Sequence, residues 1–118
     1  MTHHQDIGAR GEALAADYLR QVGLEVVDRN WRSRRGELDI LAHDGGTDVA
    51  VEVKARTSHR YGHGAEAVAG AKLVRLHRLA WEWQRRHGRR GADLRVDVVA
   101  IVFDADGYRL DHYRGVGA

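Results

Sequence analysis

Two short segments alternate apolar and charged residues on either side of a turn, and they constrain this chain more than any other feature. Glu37-Leu38-Asp39-Ile40-Leu41-Ala42 leads into His43-Asp44-Gly45-Gly46-Thr47-Asp48, and Val49-Ala50-Val51-Glu52-Val53-Lys54 follows. Alternation with period two puts successive side chains on opposite faces, and Asp and Gly favour turns, so the pattern predicts a β-hairpin. Burial sets its register: Leu38 and Ile40 should share a face with Val51 and Val53, because a one-residue slip would bury the charged set. Pairing Ile40 with Val51 then places Asp39 opposite Glu52 and Glu37 opposite Lys54. Directly opposed residues have Cβ atoms about 5 Å apart.

The rest of the chain supplies a frame for this hairpin. Ile7, Gly11, Leu14, Tyr18 and Val22 recur at spacings of three and four, which predicts a helix over 6–22 ended by Gly23. Leu24 to Asn30 reads as a strand, followed by the basic stretch Trp31-Arg32-Ser33-Arg34-Arg35-Gly36. A second helix is expected over 65–87 with the stripe Ala69, Leu73, Leu76, Ala80 and Trp83, and with Gly88 at its end. Leu94 to Phe103 is apolar on both sides, as at the centre of a sheet covered on both faces. Asp104-Ala105-Asp106-Gly107 turns into a last edge strand at Tyr108 to Tyr113. The expected order is αβββαββ, a central mixed sheet flanked by helices.

Length and composition narrow the field. A chain of 118 residues holds one domain, 1–118 with its core over 6–113, since two halves would each be too small to bury a useful core. No apolar run approaches the roughly 18 residues of a membrane helix. The N-terminal residues lack the apolar stretch of a signal peptide, so the expected compartment is the cytoplasm. With no cysteine, the chain has no disulfide, thiol nucleophile or cysteine-ligated zinc. The net charge is only +2, but of 19 basic residues just Lys54 and Lys72 are lysines. Arginine gathers at Arg32, Arg34 and Arg35, and again at Arg85, Arg86, Arg89 and Arg90. Such clusters build local positive fields, although the second also suits an ordinary solvated surface.

Asp39 facing Glu52 is electrostatically unfavourable. Full solvation, a raised pKa on one member, or a bound cation would each relieve it. Two carboxylates with a backbone carbonyl nearby suit Mg²⁺, which takes few protein oxygens and keeps its waters. Lys54 stands on the same face, two residues beyond Glu52, in a chain that otherwise prefers arginine. Lysine is a compact charge whose pKa can be tuned, so it can orient or deprotonate a water or stabilise charge developing on a phosphate. The same residues also make a plain solvent-facing set of surface ion pairs, which accounts for the alternation and leaves the opposed acids unexplained.

Asp39, twelve intervening residues, then Glu52-Val53-Lys54 resembles the D-(x)n-E-x-K signature of the PD-(D/E)xK, restriction-endonuclease-like nucleases. Adding Gly11-Glu12, Arg29-Asn30, Gly36-Glu37-Leu38-Asp39-Ile40, Val51 to Lys54 with Arg56, Lys72, and Val96-Asp97-Val98-Val99, the chain resembles the YraN-type bacterial family. That family is similar in fold to archaeal Holliday-junction resolvases, and the likeness runs over about residues 8–103. It implies a Mg²⁺- or Mn²⁺-dependent endonuclease acting on DNA, with branched or flapped DNA as the substrate class and a homodimer if two strands are to be cut. It further implies Asp39, Glu52 and the Val53 carbonyl as metal ligands, Lys54 as the catalytic lysine, and Glu12 as the first-helix acid that reaches the site. Glu37 matches a Gly-Glu-x-Asp motif and would serve by a salt bridge to Lys54 or to the arginine loop. Lys72 falls where such proteins place a helix-borne polar residue near the scissile phosphate, although a plain helix-surface lysine is the favoured reading of its position. Arg32, Arg34, Arg35 and Arg56 are the expected phosphate contacts. Leu38 replaces the proline in the superfamily's name, and metal chemistry does not require that proline.

The remaining candidates are weaker. His59 and His63 are four apart and with His43 or His112 would suggest zinc, but the loop-like Arg60-Tyr61-Gly62 between them speaks against helical i, i+4 geometry and for solvent-exposed histidines. Trp83 is expected in the core, while Trp31 and Trp81 are free to stack or to cap. So short a chain has little material for reading bases, which favours recognition of nucleic-acid structure through phosphates. The rivals to an enzyme are a non-cutting nucleic-acid-binding module and an adaptor whose basic face docks an acidic partner.

Overall fold

A computed structural model describes residues 3–58 and 70–117. The elements are α1 His3–Gln21, β1 Glu25–Ser33, β2 Gly36–Asp44, β3 Thr47–Thr57, α2 Ala71–Arg86, β4 Asp93–Asp104 and β5 Gly107–Tyr113. The order is the expected αβββαββ. All five strands form one sheet in sequence order, antiparallel except where β3 and β4 run parallel. Parallel neighbours need a crossover, and α2 supplies it. This mixed sheet between two helices is the restriction-endonuclease-like arrangement.

Each face of the sheet is closed by one helix. Under α1, Ala15, Ala16 and Leu19 pack on Ile40, Val51, Val99 and Ile101. Under α2, Leu76, Leu79, Ala80 and Trp83 pack on Leu38, Leu41, Ala50, Val96 and Val98. The buried line of α1 is Ile7, Gly11, Ala15 and Leu19, at a spacing of four. Leu14 and Tyr18 flank it, and Val22 is exposed because the helix has already ended at Gln21. Gly11 is there for proximity: a Cβ would stand 2.6 Å from the Cβ of Ala55 on β3. Gly23, at φ +99°, closes the helix as expected, and Leu24 N–H returns to the Leu19 carbonyl at 2.9 Å. Trp83 is anchored in the core, and its indole N–H donates to Asp28 Oδ2 at 3.0 Å. Truncating it to alanine should cost about 3–5 kcal/mol.

Two expectations for the hairpin need correction. Leu38 and Ile40 do not share a face: Ile40 packs under α1 with Val51 and Val53, and Leu38 packs under α2. The alternation breaks next to Asn30, whose φ of +53° is left-handed, between the pairs Arg29–Ile40 and Trp31–Leu38. Asparagine tolerates that conformation better than most residues with a Cβ. Nor do Glu37 and Lys54 pair. The β2–β3 ladder runs to Ile40–Val51 and stops, while β3 continues beside β4 as far as Thr57–Phe103. Glu37 instead pairs with Arg32 across the β1–β2 hairpin.

α2 begins at Ala71 rather than Ala65, with Gly70 (φ +56°) before it. Ala69, His59 and His63 lie outside the described residues.

Candidate active site

The site lies where β2 and β3 part. Just past the last ladder pair, Ile40–Val51, the next residues are Asp39 and Glu52, and separation of the strands leaves their backbones without each other as partners. Asp39 fills part of the gap: its Oδ2 accepts the Val53 N–H at 2.9 Å. Asp39 and Glu52 come close enough to share a hydrogen bond when Asp39 holds a proton. Burial and then the neighbouring Glu52 charge push the Asp39 carboxyl up to about 7, against the pull of the Val53 N–H. The sequence-derived opposition of these two acids therefore has a measurable consequence.

Two ammonium groups converge on Glu52. Lys72, from the first turn of α2, places Nζ 2.7 Å from Glu52 Oε2, and Lys54 Nζ lies 3.6 Å from the same oxygen. Burial, followed by contact with Lys72, lowers the Lys54 pKa. Burial also pulls Lys72 down, but its hydrogen bonds to Glu52 and Lys54 outweigh that and leave it raised. One lysine is thus the firm partner of the acid and the other is the readier proton donor. Asp39, Glu52 and Lys72 line a cleft of about 210 Å³ whose apolar wall is Leu76 and Leu79 of α2, and Lys54 stands behind Glu52.

The cleft mouth is the β1–β2 turn. Ser33 pairs with Gly36, leaving Arg34 and Arg35 as a two-residue loop tip, and Ser33 Oγ accepts the Arg35 N–H at 3.1 Å. Gly36, at φ +146°, is needed for the turn, and a Cβ there would stand 3.3 Å from Leu79 Cδ1. Arg34 and Arg35 are exposed. Arg32 is taken by Glu37, Nε to Oε2 at 2.7 Å, so Glu37 serves the arginine loop and not Lys54. Arg56 is half-buried, and its charge reaches Lys54. Glu12 approaches from the α1 side. Arg29 holds it at 3.1 Å and Asn30 Nδ2 at 2.8 Å, and its charge adds a minor upward push on Asp39.

Of the residues singled out from sequence, Asp39, Glu52, Lys54 and Lys72 come together, Glu37 and Arg35 line the same cleft, and Glu12 stands beside it. Arg75, also on the cleft, escapes the sequence reading, although it lies one helical turn from Lys72. Among the described residues no group of three or more Asp, Glu, His or Cys gathers as a metal cage. His112 is far from any such role: buried, it links Asp97 at 2.8 Å to Tyr18 at 3.0 Å.

The model of an uncharacterised protein family, UPF0102, matches residues 11–101. The chain belongs to the UPF0102 family. This is the YraN-type family that the motifs resemble. A UPF0102 protein of Arthrobacter sp. (strain FB24) is 55% identical over 112 residues, covering 94% of this chain and 95% of the relative. One from Beutenbergia cavernae is 51% identical with the same coverage, and one from Renibacterium salmoninarum is 48% identical over 113 residues, 95% of this chain and 96% of the relative. The UPF0102 match begins at Gly11, where α1 meets β3, and ends at Ile101 on β4, so it spans every residue of the cleft. No helix among the described residues is long and apolar enough to cross a membrane.

Proposed function

We propose that this UPF0102 protein is a divalent-metal-dependent endonuclease that hydrolyses phosphodiester bonds in DNA, with branched or flapped DNA as the favoured class. The observation that carries the proposal is the forced proximity of Asp39 and Glu52 in one cleft, with Lys54 Nζ 3.6 Å from Glu52. A carboxyl held near 7 by burial and by an adjacent acid is poorly placed for a purely structural role, and perturbed groups in a cleft are candidate functional groups. The donor set fits Mg²⁺ or Mn²⁺. Two carboxylates and the Val53 carbonyl are hard oxygen ligands, Mg²⁺ keeps several waters, and a cation between the acids removes their repulsion. When bound, the metal would lower the pKa of water and neutralise charge on the phosphate.

The chain's own residues supply the rest. Lys54, half-buried and with a lowered pKa, is the group to orient a water near Glu52, or to take a proton from it after giving up its own. Lys72 neutralises Glu52 and presents its ammonium to the cleft, ready to meet a phosphate oxygen. Arg34 and Arg35 at the loop tip contact the backbone of the substrate, and Glu37 holds Arg32 in register with them. Glu12, fixed by Arg29 and Asn30, keeps negative charge on the α1 side of Asp39. Cutting both strands of a junction would call on a second copy of the chain.

The test is cleavage of labelled linear duplex, single strand, flap, fork and four-way junction in Mg²⁺, Mn²⁺ or EDTA, with wild type and Glu52→Gln purified in parallel. Metal-dependent products absent from Glu52→Gln are expected. Equal products from both proteins would remove the support for this site. Salt-sensitive binding without products would turn the proposal into a non-cutting DNA-binding module.

A further inference from the structure

Helix α2 carries two tryptophans with opposite fates. Trp83 is 4% exposed and closes the core, whereas Trp81 is 55% exposed and contributes nothing to it. Trp81 is not an isolated surface residue. Val74, Arg78, Trp81 and Arg85 follow one another at spacings of four, three and four, so they form one stripe along the outer face, and all four are exposed. The stripe starts beside Lys72 and Arg75, which line the cleft.

The charge on this helix is one-sided. Its sixteen residues include five lysines and arginines and one acid. That acid, Glu82, is taken by Arg86 at 2.9 Å, leaving Arg75, Arg78 and Arg85 with no carboxylate on their own helix. The first turn has no acidic residue and holds Lys72, against the preference of a helix N-terminus for negative charge. Arg85 and Arg86 in the last turn suit the helix C-terminus, but helix stability does not account for Lys72, Arg75 and Arg78. An aromatic ring interleaved with arginines that no acid of the helix neutralises is the pattern that binds an unpaired nucleic-acid strand, with phosphates on the cations and a base on the ring.

We infer that this face of α2 is the track for an unpaired DNA strand leaving the cleft, with Arg75, Arg78 and Arg85 on its phosphates and one base stacked on Trp81. The inference rests on the nucleic-acid part of the proposed function and deepens it by assigning the surface that takes the single-stranded arm of the substrate. Trp81 lies nine residues from Lys72, about 13.5 Å along the helix axis. That is roughly four nucleotide steps at the 3.4 Å rise per strand of stacked DNA, and fewer for an extended strand. A duplex cannot offer a base to the ring without unstacking it. A second copy of the helix, like any apolar partner, would have to strip water from Arg78 and Arg85 with no acid on the stripe to receive them.

The test is binding in EDTA, by anisotropy, of labelled oligothymidylate, a forked duplex with a single-stranded arm, and a blunt duplex. Wild type is compared with Trp81→Ala, Trp81→Phe and Arg78→Ala, each checked for wild-type melting and for its sedimentation coefficient. Trp81→Ala should weaken fork and oligothymidylate binding by roughly five- to a hundred-fold while sparing blunt duplex, and Trp81→Phe should keep most of the affinity. Arg78→Ala should weaken binding and lower the salt slope by about 1. Wild-type fork affinity in Trp81→Ala, with metal-dependent cleavage intact, would overturn the inference and leave the nuclease proposal standing. Trp81-dependent strand binding without cleavage in any metal would do the reverse. A wild-type dimer converted to monomer by Trp81→Ala would make this face a self-association surface and overturn the inference.

Discussion

The close approach of α1 to the sheet gives a prediction in which two known effects have opposite signs. In Gly11→Ala the new Cβ would meet the Ala55 Cβ at 2.6 Å, with Ala55 Cα at 3.8 Å and Ile101 Cδ1 at 3.9 Å behind it. Ordinary carbon contacts are about 3.5–4.0 Å, so helix and strand must part by about 1 Å, and neither atom is the end of a flexible side chain. Overpacking of this kind costs about 1–3 kcal/mol. Against it stands the helix preference for alanine over glycine, about 0.8–1.0 kcal/mol. The upper part of the overpacking range applies because rigid backbone stands on both sides, so Gly11→Ala should lose about 1–2 kcal/mol net. Gly8 is the control. It lies in the same helix, is exposed, and has nothing within 4 Å of where a Cβ would stand, so Gly8→Ala should gain up to about 1 kcal/mol. Urea unfolding followed by far-UV dichroism separates the two. Equal stabilisation by both substitutions would refute the close packing of α1 on β3. The contact matters for function as well, because Glu12 follows Gly11 and Lys54 precedes Ala55.

Two charge substitutions test the electrostatics. Asp39→Asn keeps an oxygen for the Val53 N–H and removes the repulsion with Glu52. Because the folded pKa, about 7, is above the unfolded value, the Asp39 contribution is present below about pH 4 and lost as pH rises through 7. Urea unfolding in EDTA should therefore show Asp39→Asn more stable than wild type at pH 8, by a margin that shrinks towards pH 5; a pH-independent difference would contradict this. Asp97 has the opposite sense. It is fully buried, and although burial works to raise its pKa, His112, Arg95 and the Gly115 N–H together hold it below the usual carboxylate range. Its stabilisation is present above about pH 4 and lost as pH falls through the folded value. Asp97→Asn should cost about 3–5 kcal/mol at pH 7, and a loss below about 1 kcal/mol would show the network to be dispensable.

Where local pattern alone decides structure, the sequence is a good guide. Alternation predicts the hairpin and the Ile40–Val51 register, and with it the opposition of Asp39 and Glu52. Gly23 and Gly88 punctuate the helices, and Trp83 and Trp81 divide between core and solvent. Expectation and structure part where tertiary demands override periodicity. The Leu38 face depends on a left-handed Asn30 on the neighbouring strand, and the lost Glu37–Lys54 pair depends on β3 leaving β2 to follow β4. Lys72 illustrates the same limit. Periodicity puts it at the edge of a helix, and only the crossover from β3 to β4 brings that helix end to Glu52. The arginine cluster near the end of α2 suits a solvated surface by composition, yet Arg89 reaches the fully buried Asp48 at 2.7 Å. A strand acid at an inward position, with no sequence neighbour to neutralise it, is the available signal.

The central claim is that Asp39 and Glu52 together hold a divalent cation. Calorimetric titration of Mn²⁺ into wild type, Asp39→Asn and Glu52→Gln, at pH 7.5 and without DNA, tests it most directly. One site in wild type, lost or weakened at least tenfold in both variants, is the predicted result. Undiminished Mn²⁺ binding in the variants, or none in wild type, would contradict the claim.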